Sequence, residues 1–224
     1  MMAVSVIIPV YNGARFLGAA IESVLAQEHP VDEIIVVDDG SSDQSSSTAQ
    51  DFGRRVRVIS QANAGPAAAR NNGIAHASSN VVAFLDADDI MVPQRIKRQA
   101  ATMTASDDVE IVLSAQWLFR DGEPPRPFDD PNAAKQCLRQ GFVPSTAFVK
   151  RAAFEKYGMF LSHQRVGDFI EWFTRAQSLE CRYVMLSEPL VLRRIHEMNL
   201  SRTNRADYAQ LVRTLRGRRE VEPK

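Results

Sequence analysis

Apolar, β-branched residues fill Val4–Val10, and a similar run returns at Glu33–Asp38 with Ile34, Ile35, Val36 and Val37. Unbroken apolar runs of this length suit strands covered on both faces, as in a parallel sheet. Between them Phe16, Leu17, Ala20, Ile21, Val24 and Leu25 fall at helical spacing, so a helix is predicted over 14–27 after the Asn12-Gly13 turn. Gly40-Ser41-Ser42-Asp43 reads as a turn and helix cap, with a polar helix running to about Phe52. A third strand is predicted over 56–60. Ala64-Gly65-Pro66 opens a helix with proline in its first turn, and this helix carries Arg70, Asn71 and Asn72. A fourth strand, 81–85, ends directly at Asp86, and Pro93 starts a helix through about Thr104. Strand and helix thus alternate four times, which argues for an α/β fold: a mostly parallel central sheet with helices on both faces.

The second half is less regular. The pattern predicts a long strand over 109–119, a loop rich in Pro, Asp and Gly over 121–131, a strand over 145–149 and a short helix over 151–157. A helix over 167–177 carries Phe169, Trp172 and Phe173 on one side. Two short strands, 182–186 and 190–195, are separated by Ser187-Glu188-Pro189. An amphipathic helix, 206–216, follows through Tyr208, Leu211, Val212 and Leu215. No internal repeat or low-complexity linker divides the chain, so one domain over 1–200 and a helical tail over 201–224 are expected.

Phe84-Leu85-Asp86-Ala87-Asp88-Asp89 is the segment richest in chemistry. Carboxylates follow immediately on a buried strand, and in open α/β sheets ligands lie at the carboxyl ends of the strands. Alternation puts Asp86 and Asp88 on one side, where two oxygen donors suit Mg²⁺ or Mn²⁺. The plainer alternative is a solvated acidic turn ahead of the next helix. Val37-Asp38-Asp39-Gly40 repeats the arrangement at the second strand, and Asp38 is expected to face the same crevice, where a carboxylate can accept from a base N–H or a ribose hydroxyl. Asp43 is read as a helix cap.

Composition narrows the partners. The 224 residues carry a formal net charge of zero, so no global field favours nucleic acid. Cys137 and Cys181 have no CxxC spacing and read as reduced thiols, with a single disulfide between them as the alternative. No stretch approaches the roughly 20 apolar residues of a membrane span, and Pro9 cuts the first apolar run short, so a soluble, cytoplasmic protein is expected. The tail contains Arg202, Arg205, Arg213, Arg216, Arg218, Arg219 and Lys224, a candidate for peripheral membrane or homo-oligomer contact. Asp207, Glu220 and Glu222 interrupt that charge, which favours a solvated helix packed on the domain.

Taken together these segments resemble family-2 glycosyltransferases with the GT-A, Rossmann-like fold. The matching pieces are Ser5-Val-Ile-Ile-Pro9-Val-Tyr-Asn12, Val36-Val37-Asp38-Asp39-Gly40-Ser41, Asn63-Ala64-Gly65-Pro66 through Arg70-Asn71, and Phe84-Leu-Asp86-Ala-Asp88-Asp89. Val143–Phe154, Asp168 with Trp172 and Arg175, and Arg193-Arg194-Ile195-His196 also look like the family, so the resemblance spans about residues 4–200. It implies a nucleotide-binding part over about 1–105 and an acceptor-binding part over about 106–200.

By position, the resemblance implies that Pro9, Val10 and Tyr11 pack around the nucleotide base and that Asp38 reads it, commonly as uracil. Arg70 is expected near the nucleotide, as are Asp86 and Ala87. Asp86 is also expected near the metal, Asp88 as a direct metal ligand, and His196 as the histidine that meets the metal or diphosphate. Asp168 is the expected catalytic base. The chain departs from the family's pattern at Gly167, where Glu is usual, and at Leu161 and Ser162, where an acidic pair is usual.

The resemblance implies inverting transfer of a hexosyl or related sugar, with Mn²⁺ or Mg²⁺, from a nucleotide-sugar, commonly a UDP-sugar. The acceptor would be a hydroxyl on a glycan, a lipid-linked molecule or another compound, and glycan or polysaccharide biosynthesis is the expected setting. A dinucleotide-dependent oxidoreductase is disfavoured because Pro9-Val-Tyr-Asn-Gly stands where GxGxxG belongs. A nucleotidyltransferase would need an early Gly-rich basic loop. The remaining alternative is a catalytically degenerate protein that keeps the nucleotide pocket, an option that Gly167 keeps open.

Overall fold

The structure, a computed structural model, describes residues 2–123, 137–162, 164 and 166–199. The tail helix expected over 206–216 and most of the loop expected over 121–131 lie outside these residues. The strands are β1 Val4–Val10, β2 Glu33–Asp38, β3 Arg57–Ser60, β4 Val81–Phe84, β5 Ile90–Met91, β6 Ile111–Arg120, β7 Leu138–Gln140, β8 Phe148–Lys150 and β9 Tyr183–Ile195. The helices are α1 Ala14–Leu25, α2 Ser45–Gln50, α3 Pro66–His76, α4 Arg95–Thr104, α5 Ala152–Tyr157 and α6 Asp168–Ser178.

A nine-stranded sheet runs in the order β3-β2-β1-β4-β8-β6-β9-β5, with β7 paired to β6. The first four strands are parallel. Past β4 the sheet is mixed: β8 is antiparallel to β4 and β6, whereas β9 is parallel to β6. As a result the carboxyl ends of β1, β2, β4, β6 and β9 all lie along one edge.

Alternation along β1 builds two cores. Val4, Val6, Ile8 and Val10 pack with Leu17, Ala20, Ile21 and Val24 of α1 and with Ile96, Ala100 and Met103 of α4. Ile7 faces the other way, toward Ala67, Ala69 and Ile74 of α3, Phe154 of α5 and Trp172 of α6. Helices therefore cover both faces, and this is why the strands read as unbroken apolar runs.

Three expectations need correction. The two strands expected over 182–186 and 190–195 are one strand, β9. Its register slips against β6 between Ser114 and Gln116, so the Ser187-Glu188-Pro189 segment is absorbed as an irregularity where the sequence reads as a turn. The strand expected over 145–149 is a 3-10 turn, Pro144–Thr146, followed by β8. Pro93 precedes α4 by two residues and does not begin it.

Buried polar side chains brace the site edge. Arg95 is fully buried, and its guanidinium donates to Phe84 O and Ala147 O at 3.0 Å and to Gln99 Oε1 at 2.9 Å. That ties α4 to the ends of β4 and β8 just below the acidic segment. Burial pulls the Arg95 guanidinium down to about 9, with the Asp89 charge opposing the shift.

Candidate active site

A cleft of about 1400 Å³ opens along the strand ends. Its lining includes Pro9, Val10, Tyr11, Arg70, Asp86, Ala87, Asp88, Asp168 and His196, so every expected site residue except Asp38 reaches it.

The loops at the ends of β1, β2 and β3 are fastened to one another before any ligand arrives. Asn12 takes φ +51°, a left-handed conformation that Asn tolerates better than most residues. Its Oδ1 accepts from the backbone N–H groups of Ser42 at 2.8 Å and Asp43 at 3.3 Å. Asp43 accepts from Ser45 N at 2.9 Å and reaches back to Ala14 N at 3.0 Å, so it serves the starts of two helices.

Asp38, expected to face the crevice, does not reach the cleft, whereas Asp39 borders it. Asp38 is buried, and its Oδ1 accepts from Ser41 N at 2.9 Å, which closes the turn. Asp39, the first residue beyond the strand, is as buried as Asp38 but borders the cleft. Its Oδ1 accepts from Gln61 Nε2 at 2.7 Å and Ala64 N at 2.9 Å, and its Oδ2 from Gly65 N at 2.8 Å. Strand alternation does not carry past the last paired residue, and the chain turns at that point.

The acidic segment follows β4. Asp86 N donates to Ser145 Oγ at 3.0 Å, and Asp86 Oδ1 accepts from Arg70 Nη2 at 2.7 Å. Burial is the largest influence and raises the Asp86 carboxyl, but the charge and hydrogen bond of Arg70, with Arg193 and Ser145, together outweigh it and leave the group below the ordinary carboxylate value. Asp88 is shifted the opposite way: burial and the Asp86 charge push it up, with His196 opposing. Asp89 is buried, accepts from Arg194 N at 3.0 Å, and is held well above the ordinary value by burial and its two acidic neighbours.

His196 sits just past the end of β9. Its Nε2 lies 2.8 Å from Asp88 Oδ2, and its Nδ1 accepts from Met198 N at 3.2 Å, so a neutral ring carries its proton on the Asp88 side. Asn199 completes the corner. It donates to Asp88 Oδ2 at 3.0 Å and accepts from His196 N at 2.7 Å. Among the described residues no three His, Cys, Asp or Glu side chains are grouped to hold a metal by themselves. The Asp88–His196 pair offers an oxygen and a nitrogen donor, and Asp86 lines the same cleft. Such a partial set fits a cation that takes its remaining ligands from phosphates, as Mg²⁺ commonly does.

Asp168 is the first residue of α6. It does not cap the helix: Gly167 holds the cap position at φ +72° and ψ +17°, and no side chain caps it. The Glu usual in the family at this position would be strained there. Asp168 instead meets Arg70, whose Nη1 donates to Oδ2 at 2.6 Å, with both side chains buried. Side chains whose anchoring partners the sequence did not reveal hold this wall. Asn71 and Phe160 exchange two hydrogen bonds at 2.8 and 3.1 Å, and Trp172 Nε1 donates to Gly158 O at 2.7 Å.

The glycosyl transferase family 2 model matches residues 5–158. The chain belongs to that family. Among its relatives, an uncharacterized glycosyltransferase of Nostoc sp. is 44% identical over 115 residues, covering 50% of this chain and 36% of the relative. Another, from Rickettsia prowazekii, is 29% identical over 214 residues, covering 89% of this chain and 66% of the relative. The chain thus spans from about a third to just under two thirds of the length of these relatives.

Two solved structures share the fold of this family-2 chain. TarS 1–349 of S. aureus in complex with UDP-GlcNAc superposes with a TM-score of 0.76 at 21% identity, covering 96% of this chain and 65% of TarS 1–349. The mannosyltransferase PcManGT of Pyrobaculum calidifontis, in complex with GDP-Man and Mn²⁺, gives 0.76 at 20% identity, covering 99% and 65%. The mixed sheet with helices on both faces is that GT-A fold.

Proposed function

We propose that the chain transfers a hexosyl or related sugar from a UDP-sugar to a hydroxyl on a glycan, lipid-linked or other acceptor, with inversion and with a divalent cation. The observation that carries this reading is the convergence of Asp86, Asp88 and His196 with Pro9, Tyr11 and Asp39 in one cleft that also holds Asp168. The complexes of TarS with UDP-GlcNAc and of PcManGT with GDP-Man and Mn²⁺ support a nucleotide-sugar donor and a cation. Free thiols at Cys137 and Cys181 agree with a reducing, cytoplasmic setting. No helix among the described residues is long and apolar enough to cross a membrane.

Pro9, Val10 and Tyr11 would flank the base, and the base-reading carboxylate is Asp39 in place of Asp38. Asp88 and His196 would hold the cation, with Asp86 beside them. When bound, Mn²⁺ or Mg²⁺ supplies Lewis-acid neutralisation of the charge that develops on the departing diphosphate. Asp168 takes the acceptor's proton as its oxygen attacks, a contribution of typically ~10²–10⁴-fold. Arg70 occupies one oxygen of Asp168 and so orients the other.

A second reading, a nucleotide-sugar-binding protein without transfer, is favoured by Gly167 and by the pairing of Asp168 with Arg70. Incubating the purified chain with UDP-hexoses, Mn²⁺ and a panel of hydroxyl acceptors, with UDP release and glycosylated product both followed, separates the two. Product that depends on an acceptor supports the enzyme. Tight donor binding with neither transfer nor hydrolysis favours the second reading.

A further inference from the structure

Arg194 makes contacts that neither the fold nor the chemistry above requires. It stands one residue before the end of β9, with its side chain largely buried. The guanidinium carbon lies 4.8 Å from the ring centre of Phe16 and 4.7 Å from that of Phe119, so it is held between a ring from α1 and a ring from β6. Nη1 pairs with Asp121 at 3.2 Å, and the other carboxylate oxygen of Asp121 holds Arg15 at 2.8 Å. Nε donates to the backbone carbonyl of Asp88 at 3.0 Å, while the backbone N–H donates to Asp89 Oδ1 at 3.0 Å. Phe16 in turn lies 4.9 Å, ring centre to ring centre, from the imidazole of His196.

Arg194 therefore grips the Asp88 backbone directly, and its ring partner Phe16 backs His196. None of these Arg194 hydrogen bonds uses the Asp88 carboxylate or the His196 nitrogens, so Arg194 does not compete with a cation for either group. A flat, permanently charged fork between two rings is a task lysine cannot reproduce. We infer that Arg194 is a positioning residue for the Asp88–His196 pair and sets how strongly a divalent cation couples to nucleotide binding. This inference rests on the metal-dependent reading above. Groups that hydrogen-bond the ligating side chains directly typically change metal affinity by about 10–100-fold when removed, which sets the upper range for a residue that acts through the Asp88 backbone and Phe16.

The test is calorimetric titration of UDP into the full chain, in EDTA and in Mn²⁺, alongside thermal melts. The parent protein is expected to bind UDP more tightly in Mn²⁺. Arg194→Met should keep the EDTA affinity and a cooperative melt, yet lose roughly 10–100-fold of the Mn²⁺-dependent tightening. Arg194→Lys, which restores a cation between the rings without the fork, should recover only part of it. A folded Arg194→Met protein with full tightening overturns the inference, as does an equal loss of UDP affinity in both conditions, which marks a general prop. If Arg194→Met does not fold, Arg194→Lys decides by the same comparison, and undiminished tightening overturns the inference. A parent protein that transfers sugar but binds UDP equally in EDTA and Mn²⁺ removes the metal reading and this inference together. Tightening in the parent that both variants retain removes the inference alone.

Discussion

Asp168 and Asp86, which come from opposite halves of the chain, are joined by one guanidinium. Arg70 reaches Asp168 at 2.6 Å through Nη1 and Asp86 at 2.7 Å through Nη2. The Nε of Arg70 is buried with no hydrogen-bond partner among the described residues, so the whole fork is committed to the two carboxylates. Arg70→Met keeps much of the volume and leaves Asp168 buried without its partner. Removing one member of a buried pair commonly costs about 3–5 kcal/mol, and that is the expected loss in urea unfolding. Adding Asp168→Asn to Arg70→Met should recover part of it, because the stranded charge goes with the carboxylate. A single variant as stable as the parent would show that the pair contributes nothing net.

The proposal that Asp39 rather than Asp38 reads the base is tested by UDP binding. Asp38→Asn keeps the oxygen that accepts from Ser41 N, so UDP affinity should be close to that of the parent. Asp39→Asn removes charge from the cleft and one acceptor from the Ala64 and Gly65 N–H groups. Hydrogen bonds to charged groups contribute about 1.5–3 kcal/mol, so UDP should bind roughly ten- to hundred-fold more weakly in calorimetry. The reverse ranking would return base reading to Asp38.

These cases show what a linear pattern holds. Apolar runs located β1, β2 and β4 because burial on both faces is written into consecutive residues such as Val6, Ile7 and Ile8, and alternation located the edge strand β3. The acidic segment was legible because it directly follows such a strand. A one-residue choice between Asp38 and Asp39 depends on where pairing stops, and that is decided by loops contributed by residues 61–65. Asn71, Asn199 and Arg194 were not legible as anchors. Their partners lie 89 residues away for Asn71 and Phe160, 111 for Asn199 and Asp88, and 106 for Arg194 and Asp88, so no local spacing records them. Pro189 misled in the other direction: a turn-forming residue was accommodated at a slip of register beside β6.

Gly73 is expected to reverse the usual helix rule. In an exposed helix Gly→Ala gains up to ~1 kcal/mol. Here a Cβ would intrude on Ile7 Cγ2, with Cγ1 and Cδ1 also close at 3.2 and 3.3 Å, and Ile7 is fully buried. Overpacking of this kind costs typically 1–3 kcal/mol. Gly73→Ala should therefore lower the melting temperature. Because α3 also carries Arg70, it should weaken the bridge to Asp168. A raised melting temperature would mean that α3 can move off β1 freely.

The cation has a direct test in Asp88. Its Oδ2 already accepts from His196 and Asn199, and Asp88→Asn removes the charge while keeping the size. Transfer should cease in excess EDTA, return with Mn²⁺ or Mg²⁺, and be lost in Asp88→Asn whichever cation is added. UDP binding in EDTA should be little changed by the substitution if, as proposed, Pro9, Tyr11 and Asp39 hold the base without Asp88. Full turnover in EDTA would remove the cation from the reaction.

Asp168→Asn separates the base from a purely structural carboxylate. Capping is already set aside, since Gly167 holds that position and the Asp168 side chain turns to Arg70. The structural alternative is that Asp168 only neutralises a buried guanidinium. Asn still offers an oxygen to Arg70 Nη1, but it neither carries the charge nor takes a proton. If charge pairing is its whole role, the variant loses stability while every folded molecule turns over normally. If Asp168 is the base, kcat falls by about 10²–10⁴-fold while UDP affinity, with and without Mn²⁺, stays with the parent. Asp168→Glu adds a control, since it keeps a carboxylate but displaces it by one methylene against Arg70. It should fold and retain a measurable fraction of turnover that Asp168→Asn lacks. The decisive quantities are kcat corrected for folded fraction, the melting temperature and UDP affinity on the same preparations. Asp168→Asn turnover within a few-fold of the parent would move the base elsewhere and leave Asp168 as the counter-charge of Arg70.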